Sequence, residues 1–170
     1  MVEELLARVP RLRLAVSATT RPRRPTEIDG IHYWFLTDAE FDRRLDEGDF
    51  LEYHVFPWGQ RSGTLFSELD RIARAGDIPL LELELNGSLA VKDKLPGALT
   101  IFIDAPLEEL ERRLRERATE SAGEIEDRIA LAAQQRALAG MFDFVVENDD
   151  RERAAAECVE LVERELAACR

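Results

Sequence analysis

Leu99 to Ile103 reads LTIFI, a run with no charged residue and no alternation of apolar with polar positions. A strand that faces water on one side alternates. A strand apolar throughout is predicted to be buried on both faces, and such strands belong to parallel sheets covered by helices. Leu12 to Val16 (LRLAV), Pro79 to Leu85 (PLLELEL) and Phe142 to Val146 also read as strands, and Ile31 to Leu36 is aromatic and strand-like. Helical patterns lie between them. Val2 to Arg8 is a short helix closed by Pro10. Thr37-Asp38-Ala39-Glu40 is a capping-box pattern that turns Phe41 and Leu45 inward, with Gly48 as the stop. Ser67 to Ala75 ends at Gly76, Pro106 opens a helix bearing Leu107, Leu110 and Leu114, and Glu124 to Ala139 is another helix. Asn148-Asp149-Asp150 caps the terminal helix. Strands alternating with helices predict an α/β fold with a parallel sheet, whose ligands gather beyond the carboxyl ends of the strands.

A chain of 170 residues, 45% hydrophobic and 34% charged, suits one domain with a core of its own. No apolar run approaches the ~20 residues of a membrane span. The N-terminus has no apolar signal region, and Cys158 and Cys169 sit too far apart along one helix to bridge. The expectation is a cytoplasmic protein with reduced thiols and no membrane partner. A net charge of -12 argues against nucleic acid as a partner, but not against a small phosphate ligand.

Two basic clusters stand out in this acidic chain. The first is SATTRPRRPTEIDGIHYWF, Ser17 to Phe35, directly after a predicted strand. The guanidinium forks of Arg21 and Arg24 match phosphate oxygens. A solvated arginine-rich loop is the other reading. The second cluster, Glu111 to Glu120, puts Arg113 and Arg117 four residues apart on one helix face, with Arg128 on the next helix. Taken alone, the segment reads first as a surface helix salt-bridged through Glu109, Glu111 and Glu116. Glu82 and Glu84 alternate on an otherwise apolar segment, which is costly unless they are paired or used.

In order along the chain, these segments resemble the guanylate kinases. SATTRPRRPTEIDGIHYWF is similar to the family's SxTTRxPRxxExdGxxYxF. FLEY at Phe50 to Tyr53 resembles its FLE element, and SGT at Ser62 to Thr64 its YGT. LLELELNG at Leu80 to Gly87 resembles ILDIDxQG, RLRERATES at Arg113 to Ser121 the lid's RLxxRGTE, and VENDD at Val146 to Asp150 VVNDD. The resemblance implies a P-loop-kinase-like parallel sheet core flanked by helices, with a small mixed β insertion that binds GMP and a helical lid. It implies one domain over 1–170, with the core at 1–20, 76–112 and 140–170, the GMP-binding region at 21–75 and the lid at 113–130. It implies ATP-dependent phosphoryl transfer to GMP, with Mg²⁺ accompanying ATP. Ser17, Arg21, Arg24, Tyr33 and Ser62 surround the GMP phosphate in that picture, and Glu52, Gly63, Thr64, Glu82 and Glu84 the guanine. Arg113, Arg117 and Asn148 serve ATP, and Arg21, Arg117 and Arg128 stabilise the transferring charge.

The sequence departs from that pattern in places. Ser62 stands where the family has a second tyrosine, after an apparent insertion near Pro57-Trp58, and Arg61 is a candidate substitute. The strand aspartates are Glu82 and Glu84, and the lid glycine is Ala118. The glycine-rich G-x-x-x-x-G-K-[ST] loop, which supplies backbone amides and lysine for ATP and a hydroxyl for Mg²⁺, does not occur in these residues. The protein ligand of Mg²⁺ is therefore left open. The resemblance also places a central strand between PLLELEL and LTIFI. Without it these two strands are expected to pair directly, giving a four-stranded parallel core, since unpaired backbone groups are costly. Two functions are compatible with this inventory: a P-loop-less guanylate kinase, or a catalytically inactive GMP-binding or phosphopeptide-binding interaction domain. Lys92, Lys94, His32 and His54 are expected to be structural.

Overall fold

A computed structural model of the chain describes residues 1–56, 59–117 and 122–168, without the side chains at 113, 117, 122, 124 and 127. The elements begin with α1 (Val2–Arg8), β1 (Leu12–Leu14), β2 (Ala18–Thr19), β3 (Trp34–Phe35) and α2 (Asp38–Asp46). β4 (Phe50–Val55), β5 (Arg61–Leu65), α3 (Phe66–Arg74), β6 (Ile78–Leu80) and α4 (Leu85–Lys94) follow. The chain ends with β7 (Ile101–Asp104), α5 (Leu107–Arg117), α6 (Ala122–Arg136), a 3-10 turn at Ala139–Met141, β8 (Phe144–Glu147) and α7 (Arg151–Ala168). The fold is α/β, divided into two compact units.

One unit spans residues 10–97. Its four-stranded mixed sheet runs β3-β2-β5-β4, and β1 pairs in parallel with β6. β5 lies antiparallel to both β2 and β4, so Ala18 faces Gly63 and Glu52 faces Thr64. Phe41, Phe50, Leu65 and Ala18 form the core against this sheet, with Trp34, Leu36 and Leu45 around them. α2 delivers Phe41 because Thr37 caps it: the Thr37 hydroxyl accepts from the Glu40 N–H at 3.1 Å. Phe41 is fully buried and stacks on Phe50, ring centroids 4.4 Å apart.

The other unit comprises α1 and residues 98–170. β7 and β8 pair in parallel from Ile101↔Phe144 to Asp104↔Glu147, and α7 packs on β8. Asp150 caps α7, its carboxylate accepting from the Arg153 N–H at 2.8 Å. Cys158 is fully buried, and burial pushes its thiol above the ordinary range. Cys169 lies outside the described residues. No described helix is long and apolar enough to cross a membrane.

Several elements differ from the sequence reading. PLLELEL is a strand only as far as Leu80. Its alternation mimics a strand, but Glu84 caps α4 instead, accepting from the Gly87 N–H at 3.2 Å. LTIFI is not buried on both faces: Ile103 is 38% and Leu99 40% exposed. The reason is the ladder itself, which has two strands, so β7 has a backbone neighbour on one side only among the described residues. The direct pairing of PLLELEL with LTIFI, and the four-stranded parallel core built on it, are likewise absent from the ladders of the described residues. β1 and β3 are also shorter than predicted, ending at Leu14 and Phe35.

Phe41 has no solvent contact to fall back on, so its truncation leaves a cavity. Phe41→Ala is expected to destabilise the chain by about 3–5 kcal/mol, measured by urea unfolding.

Candidate active site

The site in residues 10–97 is assembled by β5 lying between β2 and β4. At Gly63 a Cβ atom would sit 2.5 Å from the Glu52 carbonyl oxygen, so only glycine allows this approach. The two threonines of TTR tie the arginine loop to β5. Thr19 Oγ1 donates to the Arg61 carbonyl at 2.9 Å, and Thr20 Oγ1 accepts from the Arg61 N–H at 3.0 Å. Thr19 Oγ1 also accepts from the Arg21 N–H at 3.2 Å, which fixes where Arg21 leaves the strand.

At the basic end, Arg21 is held by Glu27. Its Nη2 and Nη1 donate to the Glu27 carboxylate at 2.6 and 3.0 Å. The guanidinium lies 5.3 Å from the Tyr33 ring centroid and 5.7 Å from that of Phe35. Glu27 also accepts from the Arg24 N–H at 2.7 Å, so one carboxylate shapes the whole loop. The Arg24 side chain is exposed, as is that of Arg23, which donates to the Glu27 carbonyl. Ser17 is half-buried, its carbonyl accepting from the Trp34 N–H at 2.9 Å. Ser62 Oγ donates to the Ala18 carbonyl at 3.1 Å. Arg61, the candidate for the place of the second tyrosine, is engaged elsewhere here. It turns to α2, pairing with Asp38 at 2.8 Å and with Asp42, and lies 4.6 Å over the Phe41 ring.

At the acidic end, Glu52 is 6% exposed. Thr64 Oγ1 donates to its Oε1 at 2.8 Å. Burial pushes the Glu52 carboxyl above the usual carboxylate range; hydrogen bonds from Thr64 oppose this, the Glu84 charge adds to it, and His54 opposes it. Glu84, which is half-exposed, lies 3.4 Å from His54 Nδ1. Gly87 is buried beside Glu52, where a Cβ would come within 3.0 Å of Oε2. Glu82 is exposed on the segment after β6, so the cost of burying it does not arise.

Of the remaining predicted residues, Asn148 lines a cleft with Met1, Glu109, Arg112, Asp149, Asp150 and Arg151. Arg128 is exposed on α6. The side chains of Arg113 and Arg117 lie outside the described residues, as do Ala118 and Pro57-Trp58. Arg112 and Arg115 pair with Glu109, Glu116 and Glu111, as a salt-bridged surface helix requires.

The arginine loop after β2 and the buried Glu52 carboxylate on β4 thus belong to one sheet. The profile of the family described as guanylate kinase matches residues 1–165. The chain belongs to the guanylate kinase family. A guanylate kinase of Rubrobacter xylanophilus is 41% identical over 172 residues, covering 98% of this chain and 87% of that one. One of Mycobacterium tuberculosis is 40% identical over 164 residues, covering 95% and 79%. A crystal structure of guanylate kinase from Anaplasma phagocytophilum superposes with a TM-score of 0.75 at 25% identity, over 96% of this chain and 79% of that one.

Two contributors were not assigned roles from sequence. Glu27 stands in the motif but becomes meaningful only once Arg21 is placed against it. Glu68 is 2% exposed, yet it accepts from the Val16 N–H at 2.9 Å and from Arg71 at 2.6 Å. Burial pushes its carboxyl up, but hydrogen bonds from Arg71, Val16 and Trp34 outweigh that and lower it. Glu68 thereby anchors the end of β1, where the arginine loop begins.

Hydrogen bonds from Arg21 and the Arg24 backbone hold Glu27 at a pKa of about 2. Its folded value is depressed, so the pair is fully formed above pH ~4.3, the unfolded value, and is lost as pH falls toward about 2. In carboxyl NMR titrations Glu27 is expected to titrate near pH 2 and to rise toward the ordinary glutamate range in Arg21→Ala, where the Arg24 N–H still holds it lower.

Proposed function

We propose that the chain is a guanylate kinase that transfers a phosphoryl group from ATP to GMP. The observation that carries this reading is the ladder register that sets Ala18 beside Gly63 and Glu52 beside Thr64. It sets the arginine loop, which follows β2, and Glu52 on β4 on either side of β5 in one sheet. Arg21 and Arg24 take the GMP 5′-phosphate, with Tyr33 and Ser17 alongside and Ser62 at the edge. Arg21 exchanges the Glu27 carboxylate for phosphate oxygens of matching geometry. Glu52 and Glu84 are acceptors when ionised, which suits the N1–H and exocyclic amine of guanine. Thr64 and Gly63 fix Glu52, and Glu82 lies at the rim of this group.

Arg113, Arg117 and Arg128 serve the ATP phosphates, and Asn148 the adenine. Phosphoryl transfer asks for positioning and for positive charge on the transferring oxygens. In these residues, where the glycine-rich loop pattern does not occur, side-chain arginines take that role in our reading. No group of three or more His, Cys, Asp or Glu among the described residues is placed to hold a metal ion. Mg²⁺ would accompany the ATP phosphates.

Purified chain incubated with ATP, Mg²⁺ and GMP is expected to form GDP and ADP in equal amounts. Arg21→Ala should raise KM for GMP at least about tenfold, the scale of a lost charge-assisted hydrogen bond. GMP binding without GDP formation would return the chain to the inactive binding-domain reading.

The raised Glu52 carboxyl carries a second consequence. A buried acid with a raised folded value makes the fold lose stability as pH rises from its unfolded value toward its folded one. Glu52→Gln removes that loss. The variant is expected to melt at a higher temperature than the unaltered chain at pH 7, while binding GMP at least about tenfold more weakly. Equal melting temperatures at pH 7 would contradict the first half.

A further inference from the structure

The imidazole of His54 lies where the proposed reaction has no use for a proton carrier. It follows Glu52 by two residues on β4, so both side chains leave the same face of the strand. Its Nδ1 is 3.4 Å from Glu84 Oε1. An edge contact with Phe56, centroids 4.8 Å apart, restrains the ring.

The same Glu84 oxygen accepts from the Gly87 N–H at 3.2 Å. Oε1 thus accepts the Gly87 N–H from the first turn of α4 and lies against the His54 ring nitrogen from β4. Among the described residues no hydrogen bond engages Oε2 of Glu84. Glu52 is treated alike: Thr64 holds its Oε1, and the space left by Gly87 lies at its Oε2. Each carboxylate thus has an oxygen tied to the protein. The charged groups around the imidazole are Glu52 on its own strand and Glu84 at the start of α4. Ser62 opposite it on β5 carries no charge, and Arg61 is committed to Asp38 and Asp42.

We propose that His54 is a positioning residue for base recognition, holding the Glu84 carboxylate in the orientation that reads the purine edge. The inference rests on the GMP reading above. His54 does not touch the reacting phosphates. It restrains a carboxylate that is otherwise half-exposed and repelled by Glu52, and the ordering it provides lowers the entropy cost of binding the base. An imidazole that only fills space does not need a donor at Nδ1. One that orients Glu84 does.

The experiment is calorimetric titration of GMP into the full chain, His54→Leu and His54→Asn. Leucine fills the space without a donor, and the asparagine amide places an N–H near the position of Nδ1. His54→Leu is expected to weaken GMP binding about tenfold, and His54→Asn to stay within about threefold of the unaltered chain. In a Glu84→Gln background the leucine substitution should cost less than about twofold, because its effect runs through Glu84. Unchanged affinity in His54→Leu overturns the inference. So does a loss that asparagine does not restore, or one that persists in full beside Glu84→Gln. Should His54→Leu not fold by circular dichroism, His54→Ala takes its place under the same criteria. If the unaltered chain binds no GMP, the guanylate kinase reading fails and this inference with it. If it binds GMP and the variants do not discriminate as stated, only the role of His54 falls.

Discussion

The close approach of Gly63 to the Glu52 carbonyl is the contact on which the site depends. A side chain at that position would push β5 away from β4 by more than a hydrogen bond tolerates. Because β5 is the shared neighbour of β2 and β4, such a shift would be felt on both sides. On one side it would unseat the threonines that launch Arg21. On the other it would part Thr64 from Glu52. A residue without a side chain therefore sets the distance between the basic and acidic ends.

Charge inside this unit is handled by neutralisation in place. Arg21 has Glu27, Arg61 has Asp38 and Asp42, and the buried Glu68 has Arg71 with a backbone amide. For the buried Glu68, removing its partners would leave an unsatisfied charge, which costs more than the pair contributes. The exception is Glu52, whose hydrogen bonds from Thr64 do not offset its burial. A carboxylate kept under tension at a site is a common mark of function.

Much of this was legible in the chain, for local reasons. Thr37 and Gly48 marked the ends of α2, and Asp150 the start of α7, because caps act within one turn. The ordered motifs gave the family, which the profile and the relatives show. The β6 region misled because LELEL satisfies a strand's period while Glu84 was bound for a helix cap, an interaction that competes with strand pairing and leaves no periodic trace. LTIFI misled because apolar character reports what a strand is able to bury, and the two-stranded ladder leaves part of it exposed. Glu27, Glu68 and the turn of Arg61 toward α2 were not legible at all. Each depends on a partner that only the fold brings near.

The strands that carry the arginine loop are short. β2 and β3 have two residues each, and β1 and β6 three. So few backbone hydrogen bonds leave these strands dependent on side-chain packing, such as the burial of Ala18 and Thr19. A nucleotide bound as proposed, bridging this loop and β5, would add its binding free energy to the closed form. Substrate would then act as a missing piece of secondary structure, and protection of the segment from exchange would become a gauge of occupancy.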